Sequence, residues 1–305
     1  MSEKLESTQE LVLPDLYESA EQASATAQLK FVRLSIASLA LLVITAGVAS
    51  VTLEDTEIQE IVAIVTAVLV GVATLVSIAI KFWHFQDSWY GGRAIAESTK
   101  TVAWKYTVRA APFNGELSDA NKLLSANLRE ILRSQRRLNV NLDAVSANTQ
   151  LTSEMSTLRA APLNKRIDAY KSGRVASQKE WYSAKASTHK TRSRQFFGAL
   201  ILSELTALVI AILYVAYSPG QINLVGVVAA IAIATTSWLQ TRDHETLSSV
   251  YSFTSHELGI VELKLQTISS EDEFSEFVNE AESAISREHT MWVARRSSEL
   301  GGTSS

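Results

Sequence analysis

The sequence predicts an all-α fold: a helical membrane protein of two transmembrane helical hairpins with long cytoplasmic helical stalks. Three observations carry this expectation. Four apolar runs punctuate the 305 residues, Leu34 to Leu53, Ile61 to Ile80, Phe196 to Tyr217 and Ile222 to Leu239. Each is close to the ~20 residues that cross ~30 Å of hydrocarbon as a helix. Helical periodicity then continues between and beyond the two pairs, with heptad spacing in the middle of the chain. Charge is also segregated. Lys81 to Arg194 carries 20 basic against 9 acidic residues, whereas Gln240 onward carries 5 basic against 12 acidic.

Residues 1–30 form an acidic N-terminal segment and entry helix, with Glu3, Glu6, Glu10, Asp15, Glu18 and Glu21 against two lysines. They lack the charged-then-apolar profile of a cleavable signal peptide, so the first apolar run is expected to persist in the mature protein. Residues 31–112 form the first two-transmembrane unit with its stalk. Its two runs contain no charged residue, and their short connection carries Glu54, Asp55, Glu57 and Glu60. Lys30, Arg33 and Lys81 flank this hairpin; Lys190, Arg192, Arg194 and Arg242 flank the second, whose connection Ser218-Pro219-Gly220-Gln221 is uncharged. Basic residues near span ends stay on the cytoplasmic side, which places both connections outside and both termini in the cytoplasm of a cell (inner or plasma) membrane protein. Aromatic residues mark the boundaries: Phe82, Trp83, Phe85, Trp89 and Tyr90, then Phe196, Phe197, Tyr217 and Trp238.

Small residues recur at four-residue spacing, as in Ala63, Ala67, Gly71, in Ala199, Ser203, Ala207, Ala211, and in Gly226, Ala230, Ala234. Such seams let membrane helices pack closely. The stretch Lys81 to Arg109 lacks proline and extends the second span by ~40 Å if it is one helix; it ends at Ala111-Pro112, where proline disfavours helix in the preceding residue. Gly91-Gly92 within it reads as close helix packing in preference to a hinge.

Residues 113–158 form a cytoplasmic heptad helix. Leu117, Leu124, Ile131, Leu138 and Val145 recur every seven residues, with Asn121, Leu128, Gln135, Leu142 and Thr149 at the second seam position. That spacing supports coiled-coil packing, either within the chain or between subunits. A matching stripe runs through Leu247, Tyr251, Thr254, Leu258, Val261, Leu265 and Ile268, and packing of the two stripes on each other within one chain is the favoured arrangement. Residues 159–297 form the second two-transmembrane unit with stalks, and 298–305 a flexible tail. Arg109-Ala110-Ala111-Pro112-Phe113-Asn114 is echoed by Arg159-Ala160-Ala161-Pro162-Leu163-Asn164, weak evidence of an internal duplication.

Two further stretches carry a family resemblance. One is Trp89-Tyr90-Gly91-Gly92-Arg93-Ala94-Ile95-Ala96-Glu97-Ser98, continuing through Lys100, Trp104-Lys105-Tyr106 and Arg109 to Pro112-Phe113. The other is Arg166-Ile167 with Tyr170, Arg174, Gln178 and Trp181-Tyr182. With Leu16-Tyr17-Glu18-Ser19-Ala20, Ala23-Ser24 and Gln28, they resemble the SLATT proteins, two-transmembrane effector domains associated with SMODS and SLOG components of prokaryotic conflict systems. The likeness spans residues 13–295 as a tandem. It implies an oligomeric membrane effector proposed to form pores or perturb the membrane, arresting or killing an infected cell. It also implies a separate signal-sensing or nucleotide-signalling partner protein. Besides that partner, the expected partners are the lipid bilayer and further copies of the chain; no nucleic acid is expected.

The candidate site residues fall into two groups. Glu204 lies about 12 Å inside the third span. An ionisable group there is costly and faces a bundle interior or watery cavity. It can line a cation pathway, pair with a basic group, stay protonated, or bond a neighbouring hydroxyl. Asn223 is the second polar candidate of the spans, and its place near the outer boundary favours a structural role; the Thr235-Thr236-Ser237 hydroxyls can bond their own backbone. The second group is the stalk motif: Trp89, Arg93, Glu97, Lys100, Trp104, Arg174, Gln178, Trp181 and Tyr182. Arg93, Glu97 and Lys100 share one helical face at i, i+4 and i+7, which predicts ion pairing along the stalk, with gating as the alternative. Lys185, Lys190, Arg192 and Arg194 suit contact with anionic lipid, although topology alone explains them equally well. The basic stretch Arg159 to Lys185 reads as solvated helix faces or partners for the acidic C-terminal region, ahead of a nucleotide site.

Enzymatic chemistry is not expected. His84, His189, His244, His256 and His289 are scattered, His256-Glu257 lacks a second histidine at metal-binding spacing, and there is no cysteine. Gly91-Gly92-Arg93 follows no strand and is no phosphate loop. No cofactor is expected. The competing reading is a membrane-anchored scaffold or sensor that holds cytoplasmic partners at the bilayer.

Overall fold

The computed structural model describes residues 11–137, 140–142, 149–217, 224–283 and 285. Asn223, the 218–221 connection, Leu138 and Val145 of the heptad and the 298–305 tail lie outside the described residues. Every regular element among the described residues is a helix: α1 Asp15–Ala49, α2 Thr56–Phe82, α3 Phe85–Thr107, α4 Leu117–Arg137, α5 Ser153–Ala160 and α6 Leu163–Tyr170. A π-helical turn, Lys171–Ala176, leads from α6 into α7 Ser177–Tyr217, followed by α8 Leu224–Arg242 and α9 His244–Leu265. A last helix, α10, covers 271–283.

Local chemistry fixes many of these ends. Helix α1 begins directly after Pro14, with Asp15 and Glu18 in its first turn, where acidic groups favour the helix dipole. The Asp55 carboxylate caps α2 by accepting from the Glu57 and Ile58 amides at 3.0 and 3.3 Å. Thr152 caps α5 through the Met155 amide at 3.2 Å, and Pro162 opens α6. In α10, Ser270 and Glu273 form a reciprocal capping box: the Glu273 amide donates to Ser270 Oγ, and the Glu273 carboxylate accepts from the Ser270 amide.

The second span and its stalk are not one uninterrupted helix. His84 has φ 47° and separates α2 from α3, and Asp243 with φ 39° separates α8 from α9 in the same way. Histidine and aspartate tolerate this left-handed conformation better than most residues. Arg109, φ 61°, likewise ends the α3 stretch ahead of Ala111-Pro112.

The chain divides into two compact units. The stalk unit comprises Met1–Gln28, Gln86–Ser183 and Ser252–Ser305. Its core has two apolar clusters, and α3 contributes to both. Ile95, Ala96, Ala103 and Tyr106 join Leu16 and Ala20 of α1, Ala120, Leu124 and Leu128 of α4, and Met155 of α5. Trp104 and Val108 join Tyr170, Val175, Leu265 and the α10 residues Phe274, Phe277, Val278 and Ala281. The heptad of α4 therefore buries Leu124 and Leu128 within its own chain, and Leu117 stays exposed. Seam residue Asn121 accepts a hydrogen bond from the Tyr106 hydroxyl at 2.6 Å. The C-terminal stripe goes elsewhere, since Val261, Leu265 and Ile268 belong to the second cluster and α4 to the first. Gly91 and Gly92 are buried. A Cβ on Gly92 would meet Ser24 Cβ and N at 3.0 Å and the Ala20 carbonyl at 3.1 Å, so α3 approaches α1 too closely for a side chain.

The span unit comprises Leu29–Phe85 and Ala184–Tyr251 and holds the four apolar helical segments. In the most apolar windows of α7 and α8 no residue is buried, and in α2 only Ala73 is. Ser38 and Ser77 share a hydrogen bond of 3.2 Å between α1 and α2, and the Phe196 and Trp238 rings meet at 6.2 Å between α7 and α8. The Thr45, Thr66, Thr206, Thr235 and Thr236 hydroxyls each donate to the carbonyl four residues earlier. That bond satisfies a hydroxyl in hydrocarbon without any partner helix.

Candidate functional site

Two stalk-motif residues, Arg174 and Trp104, meet at the π-helical turn. This turn places Arg174 fully inside the stalk unit, and π insertions frequently mark functional positions. Its tightness depends on Gly173, where a Cβ would lie 3.0 Å from the Trp104 ring. Trp104 in turn packs edge-on against Tyr170 at 5.8 Å.

Arg174 meets Glu282 of α10 in a two-pronged ion pair. Arg174 Nε donates to Glu282 Oε1 at 2.8 Å and Nη2 donates to Oε2 at 2.7 Å, with both side chains fully buried. The same carboxylate accepts from the Tyr170 hydroxyl at 3.1 Å and from Thr101 Oγ1 at 2.7 Å. Four donors on one carboxylate compensate its lost hydration. Burial opposes the Arg174 charge, and the Glu282 carboxylate more than restores it, holding the guanidinium above its ordinary range. Burial together with the neighbouring Glu282 charge pushes the Tyr170 phenol well up, so it stays a neutral donor. Among the described residues, Arg174 Nη1 is buried without a hydrogen bond.

Glu282 is one of four polar α10 residues that read the rest of the unit. Glu271 pairs with the buried Arg166. Ser275 Oγ accepts from the Ala111 amide at 2.8 Å, and Asn279 Oδ1 accepts from Lys105 Nζ at 2.5 Å. The spacing Glu271, Ser275, Asn279, Glu282 puts all four on one helical face. Arg166 also donates to the Ala161 and Val108 carbonyls at 3.0 and 2.8 Å, and Arg159 donates to those of Tyr106 and Phe113 at 2.5 and 2.7 Å. The two arginines thus satisfy carbonyls around the bends at residues 107–113 and 161.

The other motif residues form an adjoining charged layer. The Arg93 guanidinium lies over Trp181, 5.1 Å from the ring centroid, and 4.0 Å from Glu97. Lys100 lies over Tyr17 at 5.7 Å. Burial, then the charge of Arg174, lowers the Lys100 ammonium; burial, then Glu21 and Glu97, pushes the Tyr17 phenol up to about 12. The Trp89 carbonyl accepts from Ser24 Oγ at 2.9 Å, and Gln178 and Tyr182 are buried. The structure brings Arg93 with Glu97 and Trp181, and Trp104 with Tyr170 beside Arg174. Glu282, the group that organises Arg174, is absent from the sequence-derived candidates. The only signal for it is the polar stripe of α10, which resembles any solvated helix face.

Glu204 lies in the span unit, on the exposed surface of α7. Among the described residues, no three His, Asp or Glu side chains come together as metal ligands. The arrangement is one of buried charge recognition in the stalk unit and of an outward carboxylate in the span unit.

Residues 14–167 match the family described as SMODS and SLOG-associating 2TM effector domain 3, and residues 170–292 match SMODS and SLOG-associating 2TM effector domain 1. The chain belongs to the SLATT family. It is a membrane protein that carries two SLATT effector domains in tandem, meeting between residues 167 and 170. No curated protein and no solved structure matches the chain. The tandem gives the buried cluster its meaning: Tyr170, Arg174 and Glu282 come from the second SLATT domain and Thr101 from the first. The stalk unit is thus built jointly, with α3 and α4 from the first domain and the π turn, α9 and α10 from the second.

Proposed function

We propose that this SLATT protein acts as an oligomer whose assembled spans alter membrane permeability, as the effector of a prokaryotic defence system that arrests or kills the infected cell. The stalk unit and both termini lie in the cytoplasm in this reading, where a separate signal-sensing partner engages the stalks. The observation that supports it is Glu204. A carboxylate about 12 Å into a span carries a large desolvation cost, yet α7 leaves it on its outer surface. Assembly with further copies gives it a watery lumen or a donor. The sparsely buried faces of α2, α7 and α8 leave ample surface for that assembly.

The test is ion flux across liposomes containing the purified protein, beside lipid-only vesicles, for wild type and Glu204→Leu. A permeability pathway that uses the carboxylate gives flux in the wild type and loses most of it in the variant. Absence of flux from cross-linkable oligomers, with or without a partner protein supplied, overturns the pore reading in favour of a scaffold that gathers partners at the bilayer.

A further inference from the structure

Outside the stalk cluster and Glu204, the span unit contains a second buried polar pair. His189 of α7 and His244, the first residue of α9, place their Nδ1 atoms 2.9 Å apart, and both rings are buried. Phe196 stacks on His244, with ring planes 6° apart, and Tyr251 meets His189 edge-on. The contact continues along the two helices, since Ser248 Oγ donates to the Ala186 carbonyl at 2.9 Å. His244 follows Asp243, the left-handed residue that separates α8 from α9. The pair therefore ties the approach to the third span to the joint that follows the fourth.

We propose that His189 and His244 form a proton-sensitive clasp that holds α7 to the α8–α9 joint at neutral pH and releases it on acidification. An Nδ1-to-Nδ1 hydrogen bond requires one nitrogen with a proton and one without. A first added proton creates a cation in a buried position facing Lys185 and Arg192 of α7 and Arg242 of α8, with the Asp243 carboxylate opposing them at His244 and the Tyr251 ring beside His189. A second added proton leaves two N–H groups pointed at each other across 2.9 Å, which breaks the bond. Burial, then His244 and the three cations, pushes His189 down to about 4, and burial, then Arg242 and Arg192, lowers His244 as well. The sign follows from linkage. The unfolded chain binds these protons more readily, so the clasp is fully present above the ordinary histidine range and is lost as the pH falls from there towards about 4.

The chain has no cysteine, so Ser187→Cys and Ser249→Cys, both at exposed positions of α7 and α9, take nitroxide labels at those two sites alone. The measurement is the label-to-label distance by pulsed electron resonance in reconstituted full-length protein, at about pH 7.5 and about pH 3.5, on either side of the histidine range. The clasp gives one narrow distance at neutral pH and a longer or broadened distribution in acid. In the same labelled chain with His189→Asn and His244→Asn, whose amides do not titrate, the acid and neutral distributions coincide. An unchanged distribution in the histidine-containing chain overturns the proposal on its own. An equal acid-induced change in the double-asparagine chain also overturns it, because other groups then drive the movement. Neither outcome bears on whether the oligomer conducts ions, so this clasp and the permeability reading fail separately.

Discussion

The stalk unit and the span unit handle polar groups in opposite ways. In the stalk unit, charges are drawn inward and matched: Arg174 with Glu282, Arg166 with Glu271, Arg159 with two carbonyls. In the span unit, most hydroxyls bond their own helix, few residues are buried, and Glu204 faces outward. A buried pair with four donors specifies one arrangement, because every alternative leaves a charge unmatched. Apolar spans that touch lightly specify much less, since lipid tails are as good a neighbour as leucine. The stalk unit is therefore where this chain defines its own tertiary structure, and the span unit is where it leaves apolar surface uncovered.

Breaking the matched charge should show the largest effect. Glu282→Ala leaves Arg174 buried without its carboxylate and is expected to destabilise the stalk unit by about 3–5 kcal/mol. The combined Arg174→Met and Glu282→Leu exchange should recover most of that loss. Denaturant midpoints followed by tryptophan fluorescence measure both, since Trp104 packs against Tyr170 in the same cluster. If the double variant is no better than the single one, the pair is not the coupled unit described above.

The glycines sharpen the contrast at the level of one methyl group. Gly92→Ala forces a Cβ to 3.0 Å from Ser24 and is expected to cost about 1–3 kcal/mol despite alanine's better helix propensity. Gly71→Ala and Gly226→Ala meet nothing within 4 Å among the described residues and should be neutral, or stabilising by up to about 1 kcal/mol. Thermal midpoints in detergent, where copies are dispersed, compare the three. A Gly71 variant as damaging as the Gly92 variant would place a second helix against α2.

Alkali tests the inward placement of the phenols. Tyr17 and Tyr170 are raised above the ordinary tyrosine value, chiefly by burial. Their contribution to stability is thus complete below about 10 and lost as the pH rises beyond it. Ultraviolet titration should show these two of the eight tyrosines ionising last, together with unfolding of the stalk unit.

Helix caps give a smaller separation. Thr152 accepts from the Met155 amide and donates to the Val12 carbonyl at 2.9 Å, so Thr152→Ala should cost about 1–2 kcal/mol. Asp55 caps α2 at an exposed site, and Asp55→Ala should cost about 0.5–1 kcal/mol. Helix content against temperature distinguishes them. The smallest stability effect belongs to Glu204→Leu, expected near zero in dispersed protomers because the side chain is exposed on α7.

Much of the membrane architecture was legible in the sequence because it rests on local features. Runs of about 20 apolar residues, the Asp55 cap and the halt before Pro112 involve neighbours along the chain. Gly92 was also readable as a packing position, since few other reasons put paired glycines in a helix. The α3 stretch was less legible. Nothing in Phe82-Trp83-His84-Phe85 announces a left-handed residue, and helical periodicity continues on both sides of it. The seams were half legible. Periodicity showed which faces of α4 and α9 are apolar and did not say that they join different clusters.

By itself the sequence determined an all-α membrane chain with four spans, and the residues that mark it as a tandem SLATT protein. It also named Glu204, Arg174 and Trp104 as candidates, without the groups that Arg174 meets. Only the tertiary structure decided that Glu282, 108 residues beyond Arg174, pairs with it, and that His189 and His244 meet across 55. The physical reason is the range of the interactions. Apolar length and capping are settled within a few helical turns, whereas a buried charge takes its partner from whichever helix the packed core brings within hydrogen-bond distance.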